Sequence, residues 1–148
     1  MRTFCVDAGL LIALYDERDP LHRAAVDYFD HYIDNSPCQL VVPWPILYEA
    51  VSTRMAREQR RIDMLRRHWD ALSRMQKLVL LDDSPYRDAA VDECFREVGR
   101  GPHYRALSLV DRVIRGVLSD VNVRVDAFVT FNSRDFWDVC GHTECVVP

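Results

Sequence analysis

The chain has 148 residues, 49% of them hydrophobic, and a formal charge of −4 at pH 7. That length fits a single domain, residues 1–148, with a core of its own, and the apolar content excludes a disordered chain. No run approaches the ~20 apolar residues of a membrane span, the start lacks a secretory leader pattern, and the acidic balance excludes a strongly basic nucleic-acid coat.

In chain order, residues 3–6 form a compact apolar run that reads as a strand, and residues 8–16 read as a helix with Leu10, Leu11 and Leu14 on one face. Asp19-Pro20 marks a helix start, and Leu21, Ala24, Ala25, Tyr28, Phe29 and Tyr32 keep a helical period to about residue 34. Asn35-Ser36-Pro37 is a turn, and residues 39–43 make a second strand, continuous enough for burial on both faces. Pro45 suits the first turn of a helix running to about residue 57. A long helix over 60–77 has Ile62, Leu65, Trp69, Leu72 and Met75 as its inner stripe. A third strand covers 78–81, and a helix from Asp83-Ser84-Pro85 reaches about residue 98. Gly99-Arg100-Gly101-Pro102 is the clearest loop. Residues 108–118 read as a helix, 127–131 as a strand and 144–147 as a short final strand. Strands separated by helices imply a mostly parallel sheet with helices on both faces, in which the loops after strands build the site.

Charge is uneven along this frame. Residues 54–77 carry eight Lys/Arg against Glu58, Asp63 and Asp70, a local +5 that leaves −9 for the rest. Such a strip is either a grip on phosphates or a solvated helix laced with ion pairs. The five cysteines (Cys5, Cys38, Cys94, Cys140, Cys145) contain no C-x-x-C and read as reduced structural thiols of a cytoplasmic protein. The five histidines have no readable catalytic partner.

The acids sit where strands end. Asp7 follows the first strand, and it serves equally as a helix N-cap or as a carboxylate at the sheet's C-terminal edge. Glu49 shares a helix face with Ile46, Ala50 and Thr53, which looks inward, so it needs a cation, an Arg partner or a raised pKa. Ser108-Leu109-Val110-Asp111 matches a capping box, which still leaves Asp111 able to aim at a metal. Thr130 closes a strand, Asn132 and Asp135 follow, and Phe136 and Trp137 can anchor that loop. Carboxylates gathered in this way repel, and their oxygens suit a hard cation such as Mg²⁺ or Mn²⁺. Phosphodiester hydrolysis by a metal-activated water is the leading chemistry.

With these segments assembled, the chain resembles the PIN-domain ribonucleases, close in size and layout to VapC-type toxins. The resemblance rests on D-A-G-L-L-I-A-L from Asp7, P-x-x-x-x-E ending at Glu49, S-L-V-D at Asp111 and T-F-N-S-R-D-F from Thr130. It implies a three-layer α/β sandwich around a five-stranded parallel sheet of order 3-2-1-4-5. It further implies Mg²⁺- or Mn²⁺-dependent cleavage of single-stranded RNA, a possible antitoxin partner and a homodimer. Asp7, Glu49 and Asp111 match the family's principal acids, and Ser108 and Thr130 its polar positions beside the metal. The fourth acid of many members falls at the neutral Asn132, so either Asn132 or Asp135 completes the site. Arg112 stands where a small residue is usual, and either contacts phosphate or pairs with a site carboxylate. Arg112, Arg134 and, from the basic strip, Arg54 and Arg57 are the expected RNA contacts.

Two other enzyme classes fail on residues. A haloacid-dehalogenase-like phosphatase needs an Asp where Gly9 stands, and a phosphoreceiver domain needs an acidic pair that Val6-Asp7-Ala8 lacks. A catalytically weak PIN-like module that binds RNA or serves as a scaffold is the remaining alternative, kept open by Asn132 and Arg112.

Overall fold

The computed structural model describes residues 1–97 and 106–148, so the loop expected at 99–102 lies outside the described residues. The central strand β1 (Arg2–Val6) is buried from Thr3 to Val6. Alternate residues of a strand point to opposite faces, so an unbroken apolar run of this kind requires cover on both sides. Strand β2 (Cys38–Pro43) and β4 (Ala127–Val129) flank it, with β3 (Leu78–Leu81) and β5 (Glu144–Val146) at the edges. All neighbours pair in parallel, in the order β3-β2-β1-β4-β5. The sheet order therefore agrees with the expectation, strand by strand.

Helix α1 (Ala8–Tyr15) is buried on nearly every side, as its Leu- and Ala-rich sequence requires. Helix α2 (His22–Tyr28) does not run on as an α-helix to residue 34; it widens into a π-helical segment, Phe29–Asp34. Carbonyls at the end of this segment are met from outside it. Asn35 Nδ2 donates to the Asp30 carbonyl, and Lys77 Nζ donates to the carbonyls of Ile33 and Asp34.

The helix expected over 45–57 is two pieces, α3 (Trp44–Ala50) and α4 (Thr53–Ala56), with Val51 and Ser52 out of helical geometry between them. Helix α5 (Gln59–Arg74) buries Leu72 and packs Ile62, Leu65 and Trp69 against the core. Met75, expected on that stripe, is exposed. It lies beyond the last helical residue, and Gln76 turns the chain away at φ 56°. Helix α6 (Ser84–Glu97) packs on α7 (Leu109–Ser119) so closely that a Cβ on Gly116 would lie 3.2 Å from the Tyr86 ring. The tie is completed by Tyr86, whose hydroxyl donates to Asp120 at 2.8 Å.

Much of the basic strip is spent inside the fold. Asp16, at the C-terminal end of α1, is 3% exposed and receives Arg61 at 2.5 Å and Arg54 at 3.2 Å. Arg60 reaches Glu17, and Arg61 also contacts Glu58 at 3.1 Å. His68 Nε2 meets Asp34 at 2.8 Å, and its Nδ1 meets the Tyr15 hydroxyl at 2.7 Å. The five cysteines are unpaired, and burial pushes the Cys140 thiol up to about 12, with Cys145 adding to the shift. Such thiols are inert at neutral pH.

Removing one partner of a buried ion pair leaves the other charge without compensation. Asp16→Ala strands Arg61 in this way, with only Glu58 left to it. Urea unfolding of Asp16→Ala should show a loss of about 3 kcal/mol, against well under 1 kcal/mol for Arg60→Ala at the exposed Glu17 pair.

Candidate active site

Parallel strands deliver their C-terminal ends to one edge of the sheet, and helices that run antiparallel to them deliver their N-termini to the same edge. Asp7 follows β1 directly and caps α1, its Oδ1 accepting from the Ala8 amide at 2.7 Å. Because β1 and β4 pair Val6 with Val129, the next residues along, Asp7 and Thr130, are level. The fully buried Thr130 hydroxyl accordingly donates to Asp7 Oδ2 at 2.7 Å. Both oxygens of Asp7 are thus fixed, and its N-cap reading holds.

Glu49 arrives through α3, which begins straight after β2 and has Pro45 in its first turn. Helix α3 packs on both α1 and α7, the two helices that carry Asp7 and Asp111. The sequence placed Glu49 on an inward face. That expectation is corrected: Ile46 and Ala50 are buried, but Glu49 and Thr53 are exposed. The helix ends at Ala50, so Thr53 belongs to a different helix and the presumed face does not exist. Glu49 stands at the rim.

Asp111 lies in the first turn of α7 and closes the expected capping box. Ser108 Oγ accepts from the Asp111 amide at 3.0 Å, and the Ser108 amide donates to Asp111 Oδ2 at 2.9 Å. In the loop after β4, Asn132 and Asp135 bracket a 3-10 turn, Ser133–Asp135. Thr130 Oγ1 accepts from the Asn132 amide at 2.9 Å, and Asn132 Nδ2 donates to Asp135 Oδ2 at 2.6 Å. Phe136 is buried against Phe128 and anchors the loop, whereas Trp137 is exposed.

The electrostatics connect these groups. Burial raises the pKa of Asp7, the Thr130 and Ala8 bonds oppose that shift, and the charges of Asp111 and Asp135 add to it. Glu49 is likewise raised, by burial first and then by Asp7 and Asp111. Asp7, Glu49, Asp111 and Asp135 therefore share one field. Asp7 senses the charges of Asp111 and Asp135, and Asn132 is the hydrogen-bonding partner of Asp135. Even so, among the described residues no three acidic, His or Cys groups are drawn together closely enough to enclose an ion.

The basic residues fare differently. Arg112 was expected at a phosphate or at a site carboxylate; it is 3% exposed and faces Glu93 of α6 from 3.9 Å. Arg54 is committed to Asp16, at the far end of α1 from Asp7, ~13 Å along a helix rising 1.5 Å per residue. Arg57 and Arg134 are exposed. A residue that sequence reasoning missed is Arg115. It donates to the Asp135 carbonyl at 2.7 Å and forms a two-pronged pair with Asp138, both contacts 2.8 Å. It thereby pins the loop that carries Asp135. The signal was available in its place four residues after Asp111, on the same face of α7.

No protein-family model and no curated protein matches the chain. Solved structures do match it. Mycobacterium tuberculosis VapC20, described as a sarcin–ricin-loop-cleaving toxin, aligns with a TM-score of 0.58 at 16% identity, over 84% of this chain and 86% of that one. VapBC2 from Rickettsia felis, bound to a DNA fragment from its promoter, aligns with a TM-score of 0.60 at 11% identity, over 98% of each chain. With the sheet order β3-β2-β1-β4-β5 and an acidic C-terminal edge, the chain has the PIN-domain fold of VapC-type proteins.

Proposed function

We propose that the chain is a Mg²⁺- or Mn²⁺-dependent endoribonuclease, the toxin of a toxin–antitoxin pair that works in the cytoplasm. The observation that carries this reading is the convergence of Asp7, Glu49, Asp111 and Asp135 on one sheet edge, where burial first, and then neighbouring carboxylates, raise the pKa values of Asp7 and Glu49. VapC20 lends support as an RNA-cleaving toxin on the same fold, and VapBC2 lends support to an antitoxin partner. Among the described residues no helix is long and apolar enough to cross a membrane. A homodimer is part of the same reading.

The donor set fits a hard divalent cation, being all carboxylate oxygen with no thiolate or imidazole among the four. Asp7, Glu49, Asp111 and Asp135 would hold the ion, and when bound it supplies an acidified water and polarises the phosphodiester. The remaining work belongs to the chain. Thr130 and the Ala8 amide orient Asp7, Ser108 orients Asp111, and Asn132 with Arg115 sets Asp135. Arg57 and Arg134, both exposed, are the chain's candidates for holding the RNA backbone. The second reading, an RNA-binding or scaffolding module with weak catalysis, draws on the fact that the carboxylates do not already form a coordination shell.

Incubation of total RNA with Mn²⁺ separates the two readings. Wild type should cleave, and chelator or Asp7→Asn should bring cleavage to background; cleavage that persists under either condition removes the metal site from the mechanism. Asn132→Ala frees Asp135 while leaving all four acids, and cleavage should fall roughly 10-fold, the low end for a group that orients a ligand.

Stability gives an independent test. Between its unfolded and raised folded pKa, Asp7 binds more protons when native than when unfolded, so the native state loses stability as pH rises through that window. Asp7→Asn removes the ionised form. Without metal, thermal unfolding at pH 7 should therefore shift upward. The mutant's advantage should shrink as pH is lowered. A melting point below wild type at pH 7 would mean that Asp7 is not a strained carboxylate.

A further inference from the structure

We propose that the cleft between α3, α6 and α7 is a subsite for one unstacked base of the RNA, with Tyr48 as its stacking face. The proposal rests on the ribonuclease reading and adds where a base beside the scissile phosphate is held. The cleft has a volume of about 400 Å³ and is lined by Pro45, Tyr48, Arg87, Val91, Leu109 and Val113, among others. Sites for small ligands run from roughly 300 to 1,000 Å³, so the space suits a nucleobase with its sugar.

Its walls are built on the two helices that carry Glu49 and Asp111. Tyr48 directly precedes Glu49, and Leu109 and Val110, which also line the cleft, directly precede Asp111. Tyr48 is 69% exposed although Ile46 and Ala50 on the same short helix are buried. The Trp44 ring lies beside it, centroids 5.9 Å apart, and limits its rotation.

The chemistry of the lining distinguishes a base from a phosphate. Among the described lining residues the cation is Arg87, and it is already matched by Asp83, which lines the cleft as well, through Nε at 2.9 Å and Nη2 at 2.8 Å. A neutralised guanidinium holds an anion poorly, but it offers a fixed polar plane beside apolar walls. A base presents two apolar faces and a polar edge, and unpaired RNA bases are taken up by aromatic rings and guanidinium planes in this manner.

The test is steady-state cleavage of a short single-stranded oligoribonucleotide in Mn²⁺ by wild type, Tyr48→Ala and Tyr48→Phe, with light scattering on each. Tyr48→Ala should raise KM roughly 10-fold, the effect of one lost base stack, and leave kcat nearly unchanged because stacking is uniform binding. Tyr48→Phe should match wild type. An abasic nucleotide at one position should raise the wild-type KM similarly and have no effect on Tyr48→Ala. An unchanged KM for Tyr48→Ala, with wild type active, overturns the base subsite and leaves the ribonuclease reading intact. A fall in molecular mass for Tyr48→Ala also overturns it, by assigning the face to contact between copies of the chain. If wild type does not cleave at all, both readings fall together.

Discussion

Ionised carboxylates repel, and the C-terminal edge of this sheet brings several of them close with their solvation reduced. Each is held against that repulsion by a different local device. Strand register fixes Asp7 beside the buried Thr130. A capping box fixes Asp111. A two-turn helix starting directly from β2 carries Glu49 to the rim, and Asn132 with Arg115 sets Asp135. None of these devices neutralises the charge of the acid it positions. Burial first, and then neighbouring carboxylates, raise the pKa values of Asp7 and Glu49. An edge of partly desolvated carboxylates is chemically suited to a hard cation.

The order of elements and the sheet were legible because they rest on local signals. Apolar runs of strand length alternate with helical periods, and a parallel sheet follows from that alternation. Asp7, Asp111 and Ser108 were legible for the same reason, since strand ends and capping boxes are written in a few adjacent residues. Glu49 was singled out for a reason that the structure removes. Its presumed inward face required α3 to continue to Thr53, and the chain leaves the helix at Val51. The π-helical turn at Phe29–Asp34 was also hidden, because the residues that satisfy its carbonyls include Lys77, far along the chain.

The basic strip shows where composition misleads. Its net charge is a property of sequence, but what that charge does depends on partners at distances the sequence does not display. Asp16 alone takes up Arg54 and Arg61, and Glu17 takes up Arg60. These pairs hold α4 and α5 to the end of α1 remote from Asp7. The strip thus supports the helix that carries the first acid, and only part of it is left to meet a polyanion. Arg112 follows the same logic: one helical position beyond an acid is close in sequence, yet its buried side chain faces Glu93 of α6.

The neutral Asn132 has a comparable explanation. A carboxylate there would sit two residues past Thr130 and face Asp135 with no proton between them, since Asn132 Nδ2 now donates to Asp135 Oδ2 at 2.6 Å. Two acids at that separation repel strongly, whereas an amide and an acid attract. The 3-10 turn over Ser133–Asp135 returns the chain so that Asp135 supplies the negative charge felt at Asp7, and Arg115 holds the turn by its carbonyl. Asn132 thus holds Asp135 through an attraction that an acid at its position would turn into repulsion. Its own amide meanwhile binds Thr130, so the residue that orients Asp7 and the residue that orients Asp135 are linked by one hydrogen bond. Movement of the loop after β4 would disturb both acids together, which makes Thr130 and Asn132 the joint on which the geometry of the edge turns.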